Sequence, residues 1–200
     1  MNATNIVLGL LLGLGLSAST GLNTFLPLLL LSAAARFHIG GIVLGTKFAW
    51  LTSDAAMITL IIACVIELIA DKFPAVDHFL DTAGTFIRPV AATIASASVL
   101  TGVDPMVAAV LGIIIGAPTS LGMHTLKAGT RVASSATTFG CANPLLSLIE
   151  DVLSFILSVI SIFVPMLVPL VLALFAFFLW KVMQRIRRGR AATAPAGSVP

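Results

Sequence analysis

Charge is what this chain has least of. Its 200 residues carry 11 Lys and Arg and 8 Asp and Glu, or 10% of the total. A soluble domain carries about 25%. So few charges cannot cover a soluble globule of this length. Intrinsic disorder is excluded too, because it needs low hydrophobicity and high net charge. Here 58% of residues are hydrophobic and the net charge is +3. The mean hydropathy of +1.12 points to an integral membrane protein.

Other absences narrow the class. Cys64 and Cys141 show no CxxC or zinc-ligand spacing and read as buried small hydrophobes. No HExxH, GxSxG, Walker or GxGxxG pattern occurs in context, so an enzyme of a common class is disfavoured and no cofactor is expected. No basic segment precedes the apolar stretch Ile6–Leu16, which argues against a signal peptide. The alternation of a membrane β-barrel is missing as well. Val168–Trp180 is continuously apolar instead. The fold expected is all-α and polytopic.

The gaps between charges locate the spans. No charge occurs from Met1 to Ala35, and later uncharged runs cover 55–66, 89–103, 105–126, 132–149 and 152–180. A crossing helix needs about 20 apolar residues, and an unpaired charge at its centre is costly. The runs give six hydrophobic units, near 5–34, 54–71, 86–101, 105–127, 143–162 and 166–184. Polar connectors are expected near 36–53, 72–85 and 128–142. The first unit is too long for one crossing, and its polar stretch Ser17–Gly21, Asn23, Thr24 and Pro27 predicts a broken or re-entrant helix. Pro165 and Pro169 predict a turn near 163–168. Asn143-Pro144 reads as a helix start with Asn as cap. A single membrane domain over 1–190 would leave 191–200 as a disordered cytoplasmic tail.

Lys181, Arg185, Arg187, Arg188 and Arg190 follow the last unit. Their excess places the C-terminus in the cytoplasm. It speaks for anionic lipid and not for nucleic acid.

A shift of 99 residues aligns Leu12–Leu22 with Leu111–Leu121, with five identities in eleven positions. Gly9, Gly13 and Ser17 then match Ala108, Gly112 and Gly116, two small-residue faces that let helices approach closely. Thr20 and Asn23 match the region of Thr119 and His124. The pattern suggests two halves, 5–101 and 105–184, each of three units. With odd crossings per half, the repeats would be inverted, as in many transporters.

The remaining charges are the functional candidates. Glu67 and Asp71 share a helix face at i, i+4, and Lys72 follows. Glu67 is either a pathway carboxylate or the anion of a salt bridge to Lys72 or Arg88. Glu150 and Asp151 interrupt an apolar stretch and, being adjacent on a helix, need separate partners. Asp77 and Asp81 flank His78 at a second i, i+4 spacing, weak candidates for a hard cation. His124, Lys127 and Arg131 form one face if their helix runs through Gly129. That face would neutralise the carboxylates or grip an anionic headgroup.

At these residues the sequence resembles a bacterial membrane family described only as domain of unknown function 4126. The matching stretches are Gly21–Leu28, Glu67–Asp77, Arg88-Pro89, His124–Arg131 and Asn143–Asp151. The resemblance implies an inner-membrane protein and supplies no catalytic residues. The function expected is a transporter or channel for a small solute or ion. Its pathway would use Glu67, Asp71, Glu150, Asp151, Asn23, Thr20, Thr119 and His124. Lys72, Arg88, Lys127 and Arg131 would serve as counter-charges. The alternatives are a lipid-headgroup-binding protein and a non-catalytic membrane scaffold. The partners expected are the bilayer, a small ion or solute or an anionic lipid, and further copies of the chain.

Overall fold

The structure, a computed structural model, describes residues 3–139 and 141–192. Side chains at 74, 75, 77, 78, 179, 182, 183 and 185–192 lie outside that description. Among the described residues, seven helices follow in order: α1 (Ala3–Leu22), α2 (Leu26–Arg36), α3 (Asp54–Ala70), α4 (Pro74–Ser98), α5 (Pro105–Thr138), α6 (Asn143–Phe163) and α7 (Val168–Ala192). Short 3-10 turns occupy Ile39–Gly41, Thr46–Thr52 and Pro165–Leu167, the last meeting the expected turn. No strand occurs among the described residues. Residues up to Val168 form one compact unit, and Pro169–Pro200 form a second.

Local chemistry sets the helix ends. Ser53 caps α3 by accepting from the Ala56 N–H. Asp104 caps α5 by accepting from Met106 and Val107, and Pro105 follows at the first helical position. Phe139, at φ 52°, closes α5 in the left-handed region. Asn143 departs from the expected cap. It lies inside α6, its side chain donates to the Ser135 hydroxyl at 3.1 Å, and Ala142 holds the cap position.

The first hydrophobic unit is broken, as its polar residues predict. Residues 23–25 separate α1 from α2, where Pro27 near the start of α2 favours a boundary. The second half carries no matching break, since α5 runs through Pro118 without interruption.

Two expected polar connectors are helical. Residues 74–85 belong to α4 and 128–138 to α5. Arg131 and Ser134 lie on the buried face of α5, and Asp81 is half-buried on α4. His124, Lys127, Arg131 and Ser134 are all buried on α5. A polar stretch reads as a loop only when water is assumed to be its partner. At the other end of the chain, Ala191 and Ala192 are still helical, and the rest of the expected tail, 193–200, lies outside the described residues.

Among the described residues, α1, α5 and α6 are long and apolar enough to cross a membrane. The Thr46–Thr52 turn with α3, bent by 64°, makes a fourth if counted as one span. Fewer than six units qualify. With 11 residues, α2 is too short. The helix α4 carries Asp81 and Arg88.

Within the first unit, α1 and α5 both pack on α4 through small residues. A Cβ on Gly13 would lie 3.1 Å from the Ser96 Cα, and one on Gly116 would lie 2.7 Å from the Ala92 carbonyl oxygen. Both helices run antiparallel to α4. Gly9 meets Val99 and Gly13 meets Ser96, while Gly112 meets Ala97 and Gly116 meets Ala92. The two small-residue faces therefore run in the same direction, which corrects the expected inverted relation. The break supplies the reason. It turns the chain back, so four helical legs precede α5, not three.

On another face of α1, Ser19 bonds the hydroxyls of Ser154 at 3.1 Å and Ser158 at 2.6 Å on α6. An apolar cluster of Leu12, Leu16, Leu28, Leu31, Ala95 and Val99 joins α1, α2 and α4. The largest fully buried side chains nonetheless include Arg88 and Lys127. Ile62, Ile66, Ile114 and Phe155 are exposed. Charge inside and hydrocarbon outside is the reverse of a soluble globule, and it fits lipid as the solvent.

Candidate functional site: the broken helix and its ion network

A helix that stops in the interior leaves carbonyls at one end and N–H groups at the other. Charged side chains engage both ends here. Arg88 Nη1 donates to the Gly21 carbonyl at 2.8 Å, and Lys127 Nζ donates to the Leu22 carbonyl at 3.0 Å. These cations sit at the negative end of the α1 dipole. Across the gap, Glu67 accepts from the Thr24 N–H at 2.9 Å and from the Thr24 hydroxyl at 2.7 Å. It also accepts from the Phe25 N–H at 3.1 Å. Asn23 Oδ1 accepts from the Leu26 N–H at 3.0 Å. A carboxylate at the start of α2 is favoured by the same dipole.

The same side chains join a larger network. Glu67 pairs with Arg88 at 3.5 Å, and Arg88 reaches Asp81 at 3.9 Å. Asp71 pairs with Lys127 at 3.1 Å and Arg131 at 3.5 Å. Glu150 pairs with Arg131 at 2.9 Å and Lys127 at 3.4 Å. Arg131 also reaches Asp81 at 3.5 Å. To one side, Asp151 accepts from Lys72 at 3.1 Å and from Asn23 at 3.0 Å, and Lys72 donates to the Ser147 hydroxyl at 2.8 Å.

His124 Nδ1 lies 3.0 Å from Arg88 Nη1, and its Nε2 lies 3.2 Å from the Thr85 hydroxyl. Arginine has only donors. Nδ1 is therefore the acceptor, and the ring proton sits on Nε2.

Ten of the expected residues thus meet around one break: Asn23, Glu67, Asp71, Lys72, Arg88, His124, Lys127, Arg131, Glu150 and Asp151. Two do not join. The Thr20 hydroxyl returns to the Leu16 carbonyl in its own helix at 2.7 Å. Thr119 is half-buried on α5 and takes no part in these bonds. Asp81 pairs with Arg88 and Arg131, and no metal-binding group of three His, Cys, Asp or Glu forms among the described residues. The Asp77 side chain lies outside the described residues. Cys64 is buried as expected. Cys141 is exposed, a correction that follows from its place in the turn between α5 and α6.

The serines of α6 were not anticipated. Ser147, Ser154, Ser158 and Ser161 are buried on the face that carries Glu150 and Asp151. Their spacing was the available signal.

These features define a class: an all-helical protein with an apolar exterior, organised around an interrupted helix in a buried ion network. The domain of unknown function DUF4126 matches residues 10–185, and the chain belongs to that family. No curated protein and no solved structure matches it.

Proposed function

We propose that this is a small polytopic membrane protein that transports or conducts a small ion or solute, with its pathway at the α1–α2 break. The observation that carries this reading is the interrupted helix, both of whose ends open onto buried charge. Membrane transporters place substrate and coupling-ion sites at such discontinuous helices. Ionisable groups within apolar helices mark ion paths and proton relays. Glu67 and Glu150, from separate parts of the chain, join one network: Glu67 pairs with Arg88, Glu150 pairs with Arg131, and Asp81 links the two arginines. The resemblance of Leu12–Leu22 to Leu111–Leu121 would then be a parallel repeat, since both segments run the same way along α4.

The alternative of a lipid-headgroup pocket draws less support. Arg88, Lys127 and Arg131 are each engaged by carboxylates. The scaffold alternative makes the network purely structural.

Reconstituted vesicles with entrapped pH- and cation-sensitive dyes test the proposal. The wild-type chain should carry flux above empty vesicles. Folded Glu67→Gln and Glu150→Gln variants should fall to the empty-vesicle level. Wild-type flux in both variants would discard the mechanism.

A further inference from the structure

Among the described side chains, the charges of the network do not balance. Its described side chains include the carboxylates of Glu67, Asp71, Asp81 and Glu150 against the cations of Arg88, Lys127 and Arg131. Lys72 and Asp151 form a neutral pair beside them. His124 does not supply the missing positive charge, because its Nδ1 accepts from Arg88. A net negative charge in an interior of low dielectric is strongly disfavoured.

The deficit has a place. Asp71 Oδ1 and Asp81 Oδ1 are buried and have no hydrogen-bond partner among the described residues. The Asp71 side chain is only 1% exposed. Both carboxylates lie 3.5 Å from the Arg131 guanidinium, so they share one cation. Asp81 is the more loosely held of the two. Its ion pairs are 3.5 and 3.9 Å long, and its side chain is 19% exposed, which gives water a way in.

We propose that the Asp71–Asp81 pair, bridged by Arg131, binds one exchangeable proton. Water delivers it at Asp81, turning one carboxylate into a carboxylic acid and bringing the described network to neutrality. Its use as the coupling ion rests on the transport reading. The binding itself does not. A proton needs a single oxygen, whereas a hard metal cation takes about six, and no such group forms among the described residues. The other charged and titratable described groups around the pair are Glu67 on α3, Lys72 in the turn after it, Arg88 on α4, His124 and Lys127 on α5, and Glu150 and Asp151 on α6; the side chains of Asp77 and His78 on α4 lie outside the described residues.

Infrared difference spectroscopy of the purified full chain in lipid nanodiscs tests this, titrated with base in sodium-free buffer. The expected result is one protonated carboxyl absorption per chain that shifts in heavy water and disappears on alkalinisation. It should vanish in Asp81→Asn, shift or vanish in Asp71→Asn, and persist in Asp104→Asn, where an exposed helix cap is changed. Three outcomes overturn the proposal: no such absorption at any pH, persistence unchanged in both Asp81→Asn and Asp71→Asn, or its removal by sodium at fixed pH. The spectrum needs no flux. A protein with the absorption but no transport would keep the proton site and lose the transport reading.

Discussion

Glu67 accepts hydrogen bonds from two backbone N–H groups and a hydroxyl while it faces Arg88 at 3.5 Å. A glutamine there keeps the volume but brings its own N–H donors against donors. It also leaves Arg88 short of its carboxylate. Breaking a buried pair by removing one partner costs about 3–5 kcal/mol. The Arg36–Asp54 pair is the contrast, because the Asp54 side chain is 81% exposed. Its loss should cost less than about 1 kcal/mol. Thermal unfolding in detergent should therefore show a far larger drop for Glu67→Gln than for Asp54→Asn. Equal drops would mean that Glu67 is not held as described. The sequence marked Glu67 because a carboxylate inside an apolar run needs a partner. It did not reveal Thr24 and Phe25 as those partners, because only the helix break turns their N–H groups toward it. The serines of α6 escaped for a different reason. A serine in an apolar helix commonly bonds back to its own backbone, as Ser161 does to Leu157 at 2.6 Å. Residue type alone therefore did not separate Ser154, which bonds across to α1.

At the scale of elements, α5 offers a controlled comparison of two glycines. A Cβ on Gly116 would sit 2.7 Å from the Ala92 oxygen and 2.8 Å from the Ala92 carbonyl carbon, whereas one on Gly122 would meet nothing within 4 Å. Backbone cannot yield as a flexible side chain does. Gly116→Ala should thus force α4 and α5 apart and destabilise by about 1–3 kcal/mol. Gly122→Ala should be neutral or stabilise by up to about 1 kcal/mol, as alanine is the better helix former. Unfolding midpoints of the two variants check this, and a stable Gly116→Ala protein would contradict the close packing. The small-residue spacing made tight contact on these faces legible in the sequence. It did not name α4 as the shared partner, because spacing on one helix says nothing about its neighbour. Direction was also hidden, since it depends on the number of legs between the matched segments. That number changes when a break of three residues reverses the chain. The helical course of the two connectors is hidden for a related physical reason: Arg131 and Asp81 are polar, but protein groups of opposite charge pair with them.

Across the unit that ends at Val168, the alternating directions of α1, α4, α5 and α6 sort the connections into two ends. One end holds 37–53, 99–104 and 164–167. The other holds the turns at 71–73 and 139–142. Lys72, Lys127 and Arg131 lie toward the second end, and Arg36 and Lys47 toward the first. Lys/Arg excess favours the cytoplasm. The second end should therefore face inward. The two cysteines make this measurable. Cys141 is exposed in the 139–142 turn, and Cys64 is 3% exposed within α3. A membrane-impermeant maleimide should label the chain in inside-out vesicles and spare it in right-side-out ones. Cys141→Ser should abolish that labelling, whereas Cys64→Ser should leave it unchanged. Labelling of Cys141 only from the outer side would reverse the orientation. It would put the open edge of Asp81, and with it the entry point of the proposed proton, on the external face.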